Sequence, residues 1–262
     1  MEEFVKDLQE KQKQKDKNNI NEKEENKQKL KNDSANLDNS LEYKEAEVLN
    51  LDNSENYKAD FSFKIIVIGN SFVGKSSIVE RAAKNKFAED YSATIGFDYS
   101  SFFVKYEDKI IKLQIWDTCG QEIFQSLITN FYKNSSLAIM VYAINDRESF
   151  HNLDSWLKEL KKESSPDAKV ILIGNKNDLE SERQVTYQEG EQYCKDYNFI
   201  SFYETSAKTG FNSQKVFIKA AITLYKELLK YKERNSGTED ESDNKPKSEK
   251  LSNPPRQKSG CC

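Results

Sequence analysis

The chain has little disulfide or metal-binding chemistry to offer: one His and four Cys in 262 residues. That supply excludes a disulfide framework or a His-rich metal centre as the organising feature. Long apolar runs are missing as well. The longest, Leu137 to Ile144, is far too short to span a bilayer, and Met1-Glu2-Glu3-Phe4-Val5-Lys6-Asp7 holds no apolar signal segment. The expected setting is the cytosol, with Cys119 and Cys194 as reduced thiols. Nor does one sign of charge dominate. Forty Lys and Arg stand against 44 Asp and Glu, so no basic field draws nucleic acid, and none is expected as a partner. Four Pro and nine Gly interrupt a sequence that is 36% hydrophobic and 32% charged, enough for one packed domain plus polar excess.

Residues 1–60 are dominated by Lys, Glu, Asn, Gln and Asp. Such a composition cannot bury enough surface to offset chain entropy, so an unstructured extension is expected. Leu37, Leu41, Val48 and Leu51 keep a rhythm of four- and three-residue steps if Lys44 fills the gap, a hint of a short amphipathic helix or half a coiled coil that composition outweighs. Residues 231–262, broken by Gly237, Pro246, Pro254 and Pro255, read as a second flexible tail. Between them, residues 61–230 alternate short apolar runs with helical periodicity, the mark of an α/β domain. The runs from Phe63 to Ile68, Leu137 to Ile144 and Lys169 to Ile173 predict parallel strands buried on both faces. Tyr99 to Tyr106 and Ile110 to Trp116, joined by Glu107-Asp108-Lys109, predict an edge hairpin. Helices are expected along Phe150, Leu153, Leu157 and Leu160, and along Phe217, Ala220, Ala221, Leu224 and Leu228. Thr186 and Glu189 form a capping box.

Gly69-Asn70-Ser71-Phe72-Val73-Gly74-Lys75-Ser76 follows a strand and precedes a helix. Glycines let the backbone curl with its N–H groups around a diphosphate, Lys75 neutralises phosphate charge, and Ser76 offers Mg²⁺ a hydroxyl. Asp117-Thr118-Cys119-Gly120-Gln121-Glu122 leaves the Trp116 strand. There Asp117 suits a metal-bound water, the Gly120 amide a γ-phosphate, and Gln121 the attacking water. Thr94, in a loop ahead of the hairpin, offers a second hydroxyl to the metal. Asn175-Lys176-Asn177-Asp178 ends another strand. Its carboxylate can accept from guanine N1–H and the 2-amino group, where adenine offers no matching donors. The stem of Lys176 can cover the base, an amide near Ala207 in Ser206-Ala207-Lys208 can donate to O6, and Phe87 can stack on the opposite face.

Four such elements in this order resemble a Ras-like small GTPase. Within that superfamily Thr94-Ile95-Gly96-Phe97-Asp98-Tyr99, Lys112-Leu113-Gln114-Ile115-Trp116-Asp117 and the closing Cys261-Cys262 are similar to the Rab family of trafficking switches. The resemblance implies a P-loop GTPase fold with a six-stranded mixed sheet, five strands parallel and one antiparallel edge strand, helices covering both faces. It implies Mg²⁺ at Ser76, Thr94 and, through water, Asp117. Ser71, Phe72, Val73, Gly74, Lys75, Ser76, Ser77, Phe87, Thr94, Gly120, Asn175, Lys176, Asp178, Ser206, Ala207 and Lys208 would then hold GTP or GDP, with Gln121, Lys75 and Thr94 catalytic. Ile95 and Gly96 with an aromatic triad of Tyr99, Trp116 and Phe131 would face effectors. Implied partners are an exchange factor, a GTPase-activating protein, a GDP-dissociation inhibitor and a prenylation escort protein.

Cys261 and Cys262, adjacent and with no packing use, would carry two prenyl groups by the same resemblance, anchoring the chain to the cytoplasmic face of internal membranes. The sequence departs from the family at Cys119, Ile123, Lys133-Asn134-Ser135 and Ala143. Cys119 and Ile123 leave open a GTP-bound scaffold with little hydrolysis. A P-loop ATPase or small-molecule kinase is disfavoured by Asp178, and a soluble nuclear-transport GTPase by the paired terminal cysteines. His151 and Cys194 are assigned no chemistry.

Overall fold

In the computed structural model, residues 45–49, 57–89, 97–118, 132–164 and 168–236 are described. The chain divides into two units, residues 1–226 and 227–262. The described part of the second, residues 227–236, is helical.

Seven strands make one sheet: β1 (Glu47–Leu49), β2 (Phe61–Ile68), β3 (Phe97–Tyr106), β4 (Lys109–Thr118), β5 (Leu137–Ala143), β6 (Lys169–Asn175) and β7 (Ser201–Glu204). Their order is β1-β3-β4-β2-β5-β6-β7. β4, β2, β5, β6 and β7 run parallel, while β3 is antiparallel to β4 and β1 to β3. The five parallel strands and the hairpin are as expected, and the helices cover both faces. Fully buried Ile65, Ile66, Val67 and Ile68 in β2, and every residue of β5, explain why those segments read as unbroken apolar runs.

The helices are α1 (Lys75–Lys84), α2 (Arg147–His151), α3 (Leu153–Glu163), α4 (Tyr187–Asp196) and α5 (Ser213–Ser236), with a 3₁₀ helix over Asn177–Glu182. One sheet face packs Ile66, Ile68, Met140 and Leu172 against Leu153, Trp156, Leu157 and Leu160 of α3 and Cys194 of α4. The other carries Phe102 against Phe217 and Phe61 against Tyr225 of α5, ring centroids 5.4 and 5.2 Å apart. The capping box of α4 is complete: Thr186 Oγ1 accepts from the Glu189 N–H, and the Glu189 carboxylate from the Thr186 N–H.

The structure differs from the sequence reading in four places. The sheet has seven strands, because Glu47–Leu49, counted with the leading extension, pairs with β3 in the register Glu47↔Lys105, Val48↔Val104, Leu49↔Phe103. Val48 is therefore in a strand and not a helix, and β3 is covered along its carboxyl-terminal half. Tyr57 adds a ring 5.9 Å from Phe103, so Phe103 lies 4% exposed on what a bare hairpin would leave wet. The helix expected through Phe150 is two helices broken at Asn152, whose N–H bonds back to Glu148 O while its own carbonyl starts α3. Helix α5 runs to Ser236, six residues past the expected boundary at 230.

Candidate functional site

Three loops leave the carboxyl ends of β2, β6 and β7 on one edge of the sheet, where open α/β folds form their ligand crevice. Between them lies a cleft of about 350 Å³. The loop after β2 supplies Phe72 and Gly74, the first turn of α1 Ser77, the segment beyond α1 Phe87, β6 and its 3₁₀ helix Asn175, Lys176 and Asp178, and the loop after β7 Ala207 and Lys208. Nine residues named from the sequence thus line one cavity, beside Ala88, Glu89 and Leu179.

The loop between β2 and α1 is held from inside. Lys75 is 6% exposed, and its Nζ donates to the carbonyls of Gly69 and Asn70 at 2.9 and 2.8 Å, closing the loop around its own ammonium. Gly74, with φ +91°, starts the helix, and a Cβ there would run into the Asn175 side chain. Phe72 has φ +65° and is 63% exposed, a left-handed backbone that a bulky side chain rarely adopts. No sequence signal marked that backbone conformation.

Asn175 is buried and works on protein groups. Its Nδ2 donates to Val73 O at 2.8 Å and its Oδ1 accepts from Thr205 Oγ1 at 3.2 Å, joining three loops. Asp178 stands exposed at the cleft wall. Its Oδ1 accepts from Ser206 Oγ at 2.5 Å, and that hydroxyl in turn accepts from the Thr209 N–H at 3.0 Å. Ser206 is fully buried, so it sits behind the wall and orients the carboxylate. Behind both, Arg183 forms a two-point ion pair with Glu204 at 2.6 and 2.9 Å, and Asn177 Nδ2 reaches the same carboxylate at 2.9 Å.

Ser76 Oγ donates to Asp117 Oδ2. Asp117 is 3% exposed, and burial pushes its pKa up to about 6 against the opposing pull of Ser76 and Lys75. Its other oxygen, Oδ1, is buried with no hydrogen-bond partner. A buried carboxylate oxygen left orphaned beside a serine hydroxyl is what a hard divalent cation or its water shell would satisfy, so this donor set fits Mg²⁺.

Trp116 is half-buried between Phe97 and Tyr99, each ring 5.5 Å away, with Lys64 Nζ 5.4 Å from its face. Of these three rings, Phe97 and Tyr99 are exposed and Trp116 is the one partly covered. Thr94, Ile95, Gly96, Cys119, Gly120, Gln121, Ile123, Phe131, Cys261 and Cys262 lie outside the described residues. Two supporting residues went unnoticed in the sequence: Trp156, whose Nε1 donates to Asn70 Oδ1 at 2.8 Å, and Arg81, which bonds the loop after β7. Their partners are 86 to 127 positions away, beyond any local pattern.

The Ras family model matches residues 64–226, from inside β2 into α5. The chain is also 41% identical over 169 residues to Ras-related protein Rab-4B of Homo sapiens, Rattus norvegicus and Mus musculus, a match spanning 64% of this chain and 79% of each relative. Ras-family small GTPases bind GTP and GDP, generally use Mg²⁺ and are generally GTP hydrolases. This chain belongs to the Ras family and is a Ras-like small GTPase of the Rab type.

Proposed function

We propose that the chain is a GTP/GDP switch that hydrolyses GTP slowly by itself and recruits effectors to internal membranes in vesicle transport. The observation that carries this reading is Asp178, held by Ser206 on the wall of the cleft that Gly74 and Ser77 also line. A carboxylate so fixed accepts from guanine N1–H and its amino group, and rejects a base without those donors because it would be left unpaired. Phe87 covers one face of the base and the Lys176 stem the other. Amides of the loop from Ser71 to Lys75 take the phosphate oxygens, and Lys75 exchanges its two carbonyl partners for them. Ser76 and Asp117, with Thr94, would hold the metal, which when bound neutralises charge developing on the phosphates.

Gln121 orients the attacking water, and Thr94 and Gly120 follow the γ-phosphate, drawn in while it is present and released after cleavage. No Arg occurs in the phosphate loop or in residues 117–122. An arginine supplied there is worth roughly 10³ to 10⁵ in rate, so turnover awaits an activating protein. Effectors read Ile95, Gly96, Tyr99, Trp116 and Phe131. Exchange factor, dissociation inhibitor and escort protein complete the cycle, and prenyl groups on Cys261 and Cys262 supply membrane anchoring. Among the described residues no helix is long and apolar enough to cross a membrane, and two lipid chains anchor durably where one is marginal.

Single-turnover phosphate release from the GTP-loaded chain tests the switch. A slow rate that falls further in Gln121→Leu supports it. Equal rates in the two proteins would leave a GTP-bound scaffold as the better description.

A further inference from the structure

We infer that Arg81 is a positioning residue for the purine, one guanidinium that fixes two walls of the base cleft; the inference rests on the guanine reading above. Arg81 lies on α1, the helix that begins at the phosphate loop. Its Nε donates to Ala207 O at 2.6 Å and its Nη2 to Lys208 O at 2.7 Å. Its Nη1 reaches Asn85 O and Oδ1 at 3.1 and 3.2 Å, which closes the end of the same helix. Its Cζ lies 5.9 Å from the centre of the Phe87 ring. Phe87, Ala207 and Lys208 all line the cleft.

A peptide unit is planar with C=O and N–H on opposite sides. Holding the Ala207 carbonyl therefore fixes the direction of the Lys208 N–H, and holding the Lys208 carbonyl fixes the next unit, whose Thr209 N–H goes to Ser206 Oγ. Asp178 takes its own bond from the buried Ser206 hydroxyl, which Arg81 does not touch. The loop that would present an amide to O6 is thus aimed from α1 by charge-assisted bonds. Lysine cannot replace the fork, because one ammonium on a flexible stem meets two diverging carbonyls poorly.

The test is competition against a fluorescent GDP on the full chain with Mg²⁺, using GDP, 6-thio-GDP, xanthosine diphosphate and ADP. Sulfur for O6 probes the loop after β7, xanthine probes Asp178, and ADP probes the guanine reading itself. In Arg81→Ala, GDP is expected to bind roughly tenfold more weakly. Its preference over 6-thio-GDP should collapse towards one while its preference over xanthosine diphosphate persists, and Arg81→Lys should fall between. Gln214→Ala removes a different contact of α1, Gln214 Nε2 to Ala82 O, and should leave both ratios unchanged. Wild type indifferent to the sulfur, or ratios in Arg81→Ala and Arg81→Lys that stay at wild-type values or fall together, overturns the role of Arg81. Wild type that binds ADP as well as GDP overturns the guanine reading instead.

Discussion

Asn175 commits both ends of its amide to protein partners, Val73 O and Thr205 Oγ1. It acts by holding the phosphate loop to the base loops. Removing it strands a buried carbonyl and a buried hydroxyl, so Asn175→Ala should cost about 1–3 kcal/mol in urea unfolding and release GDP faster. Asp178→Asn leaves the fold alone, since its side chain is exposed, but exchanges an acceptor for a donor where, on the proposed reading, the purine 2-substituent lies. Competition binding should then favour xanthosine over guanosine diphosphate. Phe72 poses a separate question of strain. Left-handed backbone costs a bulky residue about 1–3 kcal/mol, while the extra unfolded freedom of glycine costs about 0.5–1 kcal/mol, and this exposed ring loses little burial. Phe72→Gly should therefore raise the unfolding midpoint, and a lower midpoint would show that the ring packs where it counts.

Strand β1 is the element that composition concealed. Three residues are too few for an alternation to register, and the lysine- and glutamate-rich segments before them argue for a tail. What decides is Phe103 on β3, 4% exposed, with Leu49 opposite it in the ladder, the Tyr57 ring beside it and Lys112 over its face. Leu49→Asp should lower stability by about 1–2 kcal/mol, read by urea unfolding, through lost burial of a half-covered leucine and exposure of Phe103. Helix α4 was legible because its signal is local: Thr186 and Glu189 are three residues apart and cap in the structure as their types require. Hydrogen bonding from Arg147 and from Thr186 holds the Glu189 pKa down to about 2. A carboxylate depressed in the folded state contributes stability above its unfolded pKa and loses it as pH falls through the folded one. Thermal unfolding of Glu189→Gln should thus fall below wild type at neutral pH, and the gap should close between about pH 4.3 and pH 2.

Across the molecule, the residues that line the cleft were largely legible by type and spacing, and several that hold its loops from a distance were not. Gly74, Asn175, Asp178 and Ala207 announce themselves by type and spacing, and parallel strands return all of them to one cleft. Arg81 and Trp156 act on loops reached only after the sheet has formed, so a helical arginine and a helical tryptophan look ordinary until their partners arrive. The paired carboxylate oxygens of Asp117, one bonded to Ser76 and one orphaned, likewise exist only in three dimensions. On the proposed reading, these features serve one diphosphate and one purine. Calorimetric titration of the full chain with GDP and with ADP, Mg²⁺ present, tests that reading most directly. The expected result is tight GDP binding with ADP far weaker, because adenine turns a lone pair and no amino group towards the Asp178 carboxylate. Equal affinity for the two nucleotides would contradict it.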